Sequence, residues 1–203
     1  VDSLGKWSVN VADALAQGTH DYTVTAKDTA GNLSTTSSSI TVDTTAPIFV
    51  DNGLSDGSDM GSSNIDDITN NTKPVIEGTG ENGDTIRVVI NDKTYTTAVS
   101  VFGKWSVNVT DALGDGVHDY TITASDTAGN TTTKSGSIEV DTSAPLLVTG
   151  GLSDDSDTGS SNRDNITSDV TPVIEGTGEI DADIKVVINS KTYSTTVDSS
   201  GKW

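Results

Sequence analysis

Short runs in which apolar and polar residues alternate recur along the chain, separated by clusters of Gly, Asn, Asp and Thr. Alternation with a period of two is the signature of a half-buried strand. Ile86, Val88 and Ile90 fall on one face of such a run, Trp105, Val107 and Val109 on one face of another, and Tyr120, Ile122 and Ala124 on one face of a third. Between positions 44 and 141 the pattern predicts seven strands: A near 47–51, B near 73–79, C at 85–91, D at 94–99, E at 104–110, F at 117–125 and G at 131–140. The turns carry the residues that turns need, as in Asn82-Gly83-Asp84, Asn91-Asp92-Lys93, Gly114-Asp115-Gly116 and Thr127-Ala128-Gly129-Asn130. No stretch shows the 3.6-residue period of an amphipathic helix.

The pattern repeats without insertion. Gly5-Lys6-Trp7, Gly103-Lys104-Trp105 and Gly201-Lys202-Trp203 are spaced by 98 residues (105 − 7 = 98 and 203 − 105 = 98). Pro74-Val75-Ile76-Glu77-Gly78-Thr79-Gly80-Glu81 returns at Pro172–Glu179, Asp43-Thr44-Thr45-Ala46-Pro47 as Asp141-Thr142-Ser143-Ala144-Pro145, and His20-Asp21-Tyr22-Thr23 at His118–Thr121. Such a period exceeds a solenoid unit and matches a whole domain. Seven short strands in that length predict an all-β chain of tandem immunoglobulin-like β-sandwiches. Pro47 and Pro145 fix extended linkers. The boundaries therefore fall near Asp43 and Asp141: residues 1–43 are the back of one copy (strands E–G), 44–141 a complete copy, and 142–203 the front of a third (strands A–D). Trp105 is expected at the core centre and Tyr120 as a corner tyrosine. The two outer pieces are read either as the cut ends of a longer array or as halves that complete each other head to tail between molecules.

Composition narrows the function. The 203 residues carry 30 acidic and 11 basic side chains, a net charge of −19, and no Cys. That charge repels phosphate backbones and anionic membrane surfaces, so neither nucleic acid nor a bilayer is an expected partner. No apolar run approaches the roughly 18 residues that span a membrane. Without Cys there is no disulfide scaffold, zinc ribbon or thiol nucleophile. His118 and Asp119 adjoin on one strand and point to opposite faces, so they form no dyad. Nothing else builds a catalytic constellation, and no enzyme is expected.

The acidic residues collect in loops. The A–B connection, Ser55 to Thr69, is longer than ordinary loops and holds Asp56, Asp59, Asp66 and Asp67 with no positive charge. Its counterpart holds Asp154, Asp157 and Asp164, with Asn165 in place of Asp67, an added Asp155, and Arg163 in place of Ile65. Hard oxygen donors without His or Cys select Ca²⁺; a solvated acidic loop is the alternative. Strand alternation places the A–B and E–F loops at the pole where the chain leaves a copy, where Asp111 and its counterpart Asp13 lie. The B–C and F–G loops lie at the pole where it arrives, with Glu81, Asp126 and its counterpart Asp28. Asp84 is weakened as a candidate there because the next copy has Ala182, and Asp115 because the first copy has Gln17. The linker residues Asp43 and Asp141 fall between two acidic poles, a placement suited to an interdomain Ca²⁺. Asp126 and Asn130 read equally as an Asx-type turn.

Taken together, Asp43–Pro47, Pro74–Glu81, Gly103-Lys104-Trp105-Ser106 and Ala124-Ser125-Asp126-Thr127-Ala128-Gly129-Asn130 resemble the bacterial Ig-like repeats of giant type I-secreted, non-fimbrial adhesins of Gram-negative bacteria, a family that includes a giant adhesin of enteric pathogens. The resemblance covers the whole chain. It implies an extracellular stalk with Ca²⁺ at or near domain junctions, and makes Asp43, Asp141, Asp28, Asp126 and the A–B loop aspartates ligand candidates. Neighbouring repeats would be the direct partners, and a host surface would be reached through other parts of the parent protein. A ten-residue strand rises about 33 Å, so each copy would add roughly 40 Å of reach. Two other readings stand beside the stalk. A glycan- or ice-binding module would need exposed aromatics or a flat Thr array, of which only Tyr95, Tyr193 and the short Thr94, Thr96, Thr97 cluster offer traces. An accessory domain of a secreted hydrolase would need a catalytic domain elsewhere.

Overall fold

A computed structural model of the chain describes residues 4–61 and 63–203. Val1–Ser3, at the start of the first copy, and Ser62, in the A–B loop, lie outside the described residues, as does the side chain of Thr149. The chain divides into two compact units, Val1–Thr142 and Ser143–Trp203. Strands are the only regular elements among the described residues.

The first unit opens with the hairpin β1 (Gly18–Lys27) and β2 (Leu33–Val42). The complete copy follows: β3 (Phe49–Leu54), β4 (Ile68–Thr69), β5 (Val75–Gly80), β6 (Thr85–Ile90), β7 (Lys93–Ala98), β8 (Lys104–Asn108), β9 (Gly116–Ser125) and β10 (Thr131–Val140). One sheet runs β3-β5-β8 and the other β4-β10-β9-β6-β7. In strand letters this is A-B-E against a short A′ followed by G-F-C-D. Among the described residues only β4 on β10 is a parallel pairing; the other ladders are antiparallel. The three apolar faces read from the alternation all turn inward. Phe49, Leu54, Ile76, Trp105 and Val107 of the first sheet meet Ile86, Val88, Ile90, Tyr120, Ile122, Ala124, Ile138 and Val140 of the second. Each fully buried aliphatic side chain stabilises the sandwich by about 1.5–3 kcal/mol relative to exposure.

Strand bounds follow local chemistry. Strand A begins at Phe49, later than expected, because Pro47 has no N–H and the Ile48 amide is taken by Glu81 Oε1 at 2.9 Å. It then runs past its expected end to Leu54 through a bulge between Asp51 and Leu54. The C–D turn carries positive φ at both Asn91 (47°) and Asp92 (60°), the backbone of a two-residue primed hairpin. Trp105, only 3% exposed, pairs across the ladder with Gly78. A Cβ on Gly78 would come within 2.6 Å of the Trp105 ring. The recurrent Gly-Thr-Gly and Gly-Lys-Trp strings are thus two halves of one contact, and Trp203 covers Gly176 in the same way.

One expectation needs correction. The first copy shows F and G as β1 and β2, whereas its E segment, around Lys6–Asn10, forms no strand. Strand E pairs only with B in the complete copy, and the first copy has no B segment in this chain, so the segment lacks its hydrogen-bonding partner.

The second unit holds β11 (Leu147–Leu152) paired with β12 (Ile174–Gly178), and β13 (Asp183–Ile188) paired with β14 (Lys191–Thr196), the A-B and C-D pairs of a third copy. No counterpart of β4 forms among the described residues. In the complete copy β4 pairs only with G, a strand the third copy lacks here.

Candidate metal centre

The linker after the first copy is built from side chains of both flanking copies. Gln17, just before β1, grips it with its whole amide. Gln17 Nε2 donates to Asp43 Oδ1 (2.8 Å) and to Thr45 Oγ1 (3.2 Å), and Gln17 Oε1 accepts from Thr44 N (2.7 Å) and Thr44 Oγ1 (2.9 Å). The Gln17 amide, followed by the Thr45 N–H, holds the Asp43 carboxyl below its ordinary range, while the Asp126 charge opposes them. From the next copy, Asn130 Nδ2 donates to Asp43 O at 3.1 Å. Asn130 is itself held by Asp126: its N–H meets Asp126 Oδ1 (2.9 Å) and its Nδ2 meets Asp126 Oδ2 (2.8 Å). Asp28 and Asn32 repeat this turn, with both bonds at 2.7 Å. The Asn side chain is the leading cause of the lowered pKa at both aspartates. Asp28 and Asp126 therefore have the Asx-turn role that the sequence left open beside the ligand role.

Asp84 closes this pole from below. It is 7% exposed, and its Oδ2 has no hydrogen-bond partner among the described residues. Burial pushes its pKa up, and the charges of Glu81 and Asp126 push it further. Asp43, Glu81, Asp84 and Asp126 thus share one end of the complete copy. A buried carboxylate with an unpartnered oxygen is costly unless a counter-charge reaches it.

The A–B loop presents a second such atom. Asp59 is 3% exposed; its Oδ2 accepts the Asp67 N–H at 3.3 Å, and its Oδ1 is buried without a hydrogen-bond partner among the described residues. Burial pushes the Asp59 pKa up against the pull of the Asp67 N–H, and the carboxylates of Asp66 and Asp67 add to the rise. Asp66 Oδ1 caps Ile68 N at 3.2 Å, and Asp67, at a positive φ of 60°, turns its Oδ1 onto Leu54 N at 2.7 Å. In the third copy Asp157 is 4% exposed, its Oδ2 accepts Asn165 N at 3.1 Å, and its Oδ1 is again orphaned. Asp164 caps Ile166 at 3.1 Å, as Asp66 caps Ile68. Asp56 and Asp154 are exposed; Asp154 accepts a long 3.5 Å bond from Asn162.

The E–F candidates have other partners. Asp111 accepts the Tyr95 hydroxyl at 2.9 Å and has Lys93 Nζ at 3.9 Å. Asp13 is exposed on the segment preceding β1. Asp115 Oδ1 accepts both Thr142 N (3.0 Å) and Thr142 Oγ1 (2.7 Å), and the linker aspartate Asp141 gives its N–H to Thr69 O. Glu179 accepts Leu146 N at 3.3 Å, as Glu81 accepts Ile48. Among the described residues, no three acidic or His side chains are already gathered as a metal cage.

Two residues of this pole escaped the sequence reading. Asp84 is weakened in the sequence by its counterpart Ala182, and Gln17 enters there only as the departure that weakens Asp115. The signal for Asp84 was its place directly after the B–C turn, where a strand's first inward residue is buried.

The bacterial Ig-like domain model matches residues 1–44, 45–142 and 145–203. Several solved structures are similar. A Ca²⁺-stabilised adhesin that helps an Antarctic bacterium reach out and bind ice is 32% identical over all of this chain and 52% of its own length, with a TM-score of 0.39. A tetra-tandem repeat from the extending region of a large adhesion protein is 20% identical over 93% of this chain and 48% of its own length, with a TM-score of 0.41. A bacterial immunoglobulin-like domain of the M. primoryensis ice-binding adhesin is 38% identical over 37% of this chain and 87% of its own length, with a TM-score of 0.28. The chain spans about half the length of the first two. No curated protein matches it.

Proposed function

This chain belongs to the family of bacterial Ig-like domains, and from that premise we propose that it is an extender segment of a bacterial cell-surface adhesin, its repeats stiffened by Ca²⁺ at the joints and in the A–B loops. It acts outside the cell as a spacer that holds an adhesive region away from the surface. The observation that carries the reading is Asp84 Oδ2, a buried carboxylate oxygen without a partner at the pole where Asp43, Glu81 and Asp126 also stand.

The residues fit a hard cation. Asp84 offers an uncommitted oxygen, and Asp43 and Glu81 each keep an oxygen beyond those that hold the linker and strand A. Ca²⁺ tolerates such a mixed set of carboxylate, carbonyl and water oxygens. When bound, it supplies the positive charge that lets these carboxylates coexist. The chain's own contribution is to set the linker path. Gln17 and Asn130 hold residues 43–45 between two copies, so the Asp43 carboxylate is fixed at the pole of the complete copy where Glu81, Asp84 and Asp126 stand.

The glycan-binding alternative is not favoured, because Trp105, the residue whose exposure would support it, is core. The chain is read as non-catalytic: His118 Nε2 meets Gly114 O at 2.7 Å and its Nδ1 faces Asn91, which is a structural role in the E–F loop. Head-to-tail completion of the outer copies remains a secondary reading. It is supported by the one-to-one register between Tyr22, Val24 and Ile40 of the first copy and the buried Tyr120, Ile122 and Ile138.

The test is small-angle scattering and thermal melting of the whole chain in Ca²⁺ and in excess EDTA. Stiffening and a raised melting temperature in Ca²⁺ are expected, since a ligand that binds only the native state stabilises it. Identical scattering and melting in both buffers would sink the Ca²⁺-stiffened stalk.

A further inference from the structure

We propose that Asn82 is a self-modifying site: its side-chain amide closes onto the Gly83 nitrogen and is exchanged with time for a carboxylate, with water as the sole co-reactant. The chemistry is independent of the stalk and Ca²⁺ readings above. Its outcome adds a negative charge to the pole where Glu81, Asp84 and Asp126 stand.

The step balances within the chain. The Gly83 nitrogen, having given up its proton to base, attacks the side-chain carbonyl carbon of Asn82. A nitrogen–carbon bond forms, the amide group leaves as ammonia with a proton taken from water, and a five-membered cyclic imide remains. Water then opens the ring at either carbonyl, which yields aspartate or isoaspartate at this position. Nothing is oxidised or reduced. Glycine is the favourable neighbour because no Cβ crowds the attacking nitrogen, and attack between adjoining residues needs no encounter.

The chain contains two Asn-Gly pairs, Asn52-Gly53 and Asn82-Gly83, and the fold treats them oppositely. Asn52-Gly53 lies in the strand A bulge. Gly53 is buried, its N–H is bonded to Asp51 Oδ1 at 3.0 Å, and a Cβ on it would collide with the Asp67 carboxylate, which itself holds Leu54 N at 2.7 Å. Two carboxylates beside one amide oppose its deprotonation, and ring closure there has no room. Asn82-Gly83 forms the tip of the B–C turn. Both residues are exposed, the Asn82 side chain makes no hydrogen bond among the described residues, and nothing lies within 4 Å of a Cβ built on Gly83. The Gly83 N–H is held by Val99 O at 3.1 Å, just beyond the end of the β6–β7 ladder. A terminal rung at an exposed turn opens far more readily than a bulge packed against the core.

The fold does not impose the reactive pair. The third copy builds the same turn from Ile180 and Asp181. There Asp181 N bonds Val197 O at 3.0 Å and Ala182 N bonds Glu179 O at 3.1 Å, matching Gly83 N on Val99 O and Asp84 N on Glu81 O. Asp181 adopts the positive φ (66°) that Gly83 adopts at 91°. Position 53, by contrast, is glycine in both copies because the strand A cap fills the Cβ space: a Cβ on Gly151 would meet Asn165 as one on Gly53 would meet Asp67. The consequence of the exchange is local to the pole. The new carboxylate adjoins Glu81, which holds Ile48 N at 2.9 Å, and lies two residues from the buried Asp84. Isoaspartate also inserts a methylene into the main chain, which lengthens the path spanned by the turn bond between Glu81 O and Asp84 N.

The experiment ages the whole chain in warm, mildly alkaline buffer, folded with CaCl₂ and, in parallel, unfolded in urea. Peptide mapping by tandem mass spectrometry locates each amide-to-acid exchange, and isoaspartyl methyltransferase labelling detects isoaspartate. The folded chain should convert Asn82 about tenfold or more faster than Asn52, because only the exposed turn opens readily. The unfolded chain should convert the two alike. Asn82→Gln, whose longer side chain would need a six-membered ring, should abolish the labelling of the turn. Asn82→Asp reproduces the unrearranged product and should melt below Asn82→Gln in EDTA, through repulsion at the pole. Equal conversion of Asn52 and Asn82 in the folded chain overturns the site, as does a folded Asn82 that stays amidated while the unfolded chain converts. Identical melting of the two variants overturns the added load on the pole.

Discussion

Tyr120 ties the two sheets together at the level where strand A enters the core. Its hydroxyl donates to Asp51 Oδ2 at 2.8 Å, from β9 across to β3, and the ring is 3% exposed. Asp51 Oδ1 accepts Gly53 N at 3.0 Å, so the tie also props the strand A bulge. Tyr120→Phe removes the donor and leaves a half-buried carboxylate facing an apolar edge. Hydrogen bonds to charged groups contribute about 1.5–3 kcal/mol, so a loss of about 2 kcal/mol is expected. For a domain of this size that lowers the melting temperature by roughly 10 °C. A second signature is alkaline. Burial, then the Asp51 charge and its hydrogen bond, raise the Tyr120 pKa far above its usual value. The unfolded chain therefore releases this proton at about pH 10 while the folded chain retains it. The stabilising contribution is full below pH 10 and is lost as pH rises toward the folded value, with a slope of about 1.4 kcal/mol per pH unit for one proton. Calorimetry of the unaltered chain and of Tyr120→Phe between pH 8 and pH 11.5, both windows chosen around the roughly pH 10 reference, reads both signatures. Asp51→Asn and the double variant isolate the pair. A Tyr120→Phe chain that loses under about 0.5 kcal/mol, or keeps the full alkaline slope, would refute the tie.

Three further outcomes are expected. Gln17→Ala should leave the core transition unchanged and lower the hydrogen-exchange protection of the Thr44 amide about tenfold, the equivalent of roughly 1.4 kcal/mol of lost clasp; unchanged protection would mean that Gln17 does not hold the linker. Gly78→Ala should destabilise the complete repeat by about 1–3 kcal/mol or more, because the added methyl meets the Trp105 ring and the Val50 carbonyl; chemical denaturation followed by Trp fluorescence reads it, and a neutral result would break the Gly–Trp pairing argument. Asp84→Asn should raise the melting temperature in EDTA and reduce the gain from Ca²⁺, whereas a fall in EDTA would assign Asp84 a hydrogen-bonding role instead.

The sandwich was legible because alternation, turn chemistry and repetition all pointed the same way. Strand G was placed at its observed bounds, and the inward faces of C, E and F were read residue by residue. What escaped was set by tertiary partners. The E segment of the first copy carries the same Gly-Lys-Trp string as β8 and forms no strand, because a ladder needs a neighbour that alternation cannot supply. β4 was missed because two residues give no period, and it exists only where G lies alongside. The metal candidates divide in the same way. Acidic loops are visible from composition, but whether a given carboxylate is spent on a cap or left unpaired depends on the backbone path of the loop, as the positive φ of Asp67 shows. Asp59 and Asp67 are both loop aspartates, and only the fold distinguishes the orphan from the cap. Comparison between copies weakened Asp84 as a candidate, because the next copy has alanine, and only the fold shows that its carboxylate is buried with one oxygen unpartnered among the described residues.

The same comparison is informative at position 17 once geometry is known. Gln17 and Asp115 are equivalent by register, and each accepts both the N–H and the hydroxyl of the second linker residue, Thr44 or Thr142. What both copies keep is one side-chain oxygen; the charge behind it differs. The linker path is therefore set by a hydrogen-bond acceptor that either an amide or a carboxylate provides. The amide adds a donor, and that donor goes to Asp43. A carboxylate has no such donor to offer Asp141. The linker's path and its electrostatic load are thus separable at one residue: exchanging Gln for Asp changes how much negative charge gathers beside the linker aspartate and leaves the Thr clasp in place. On the proposed reading, in which a cation holds the acidic poles together, that residue is where one joint's demand for the ion can differ from the next without altering the linker clasp.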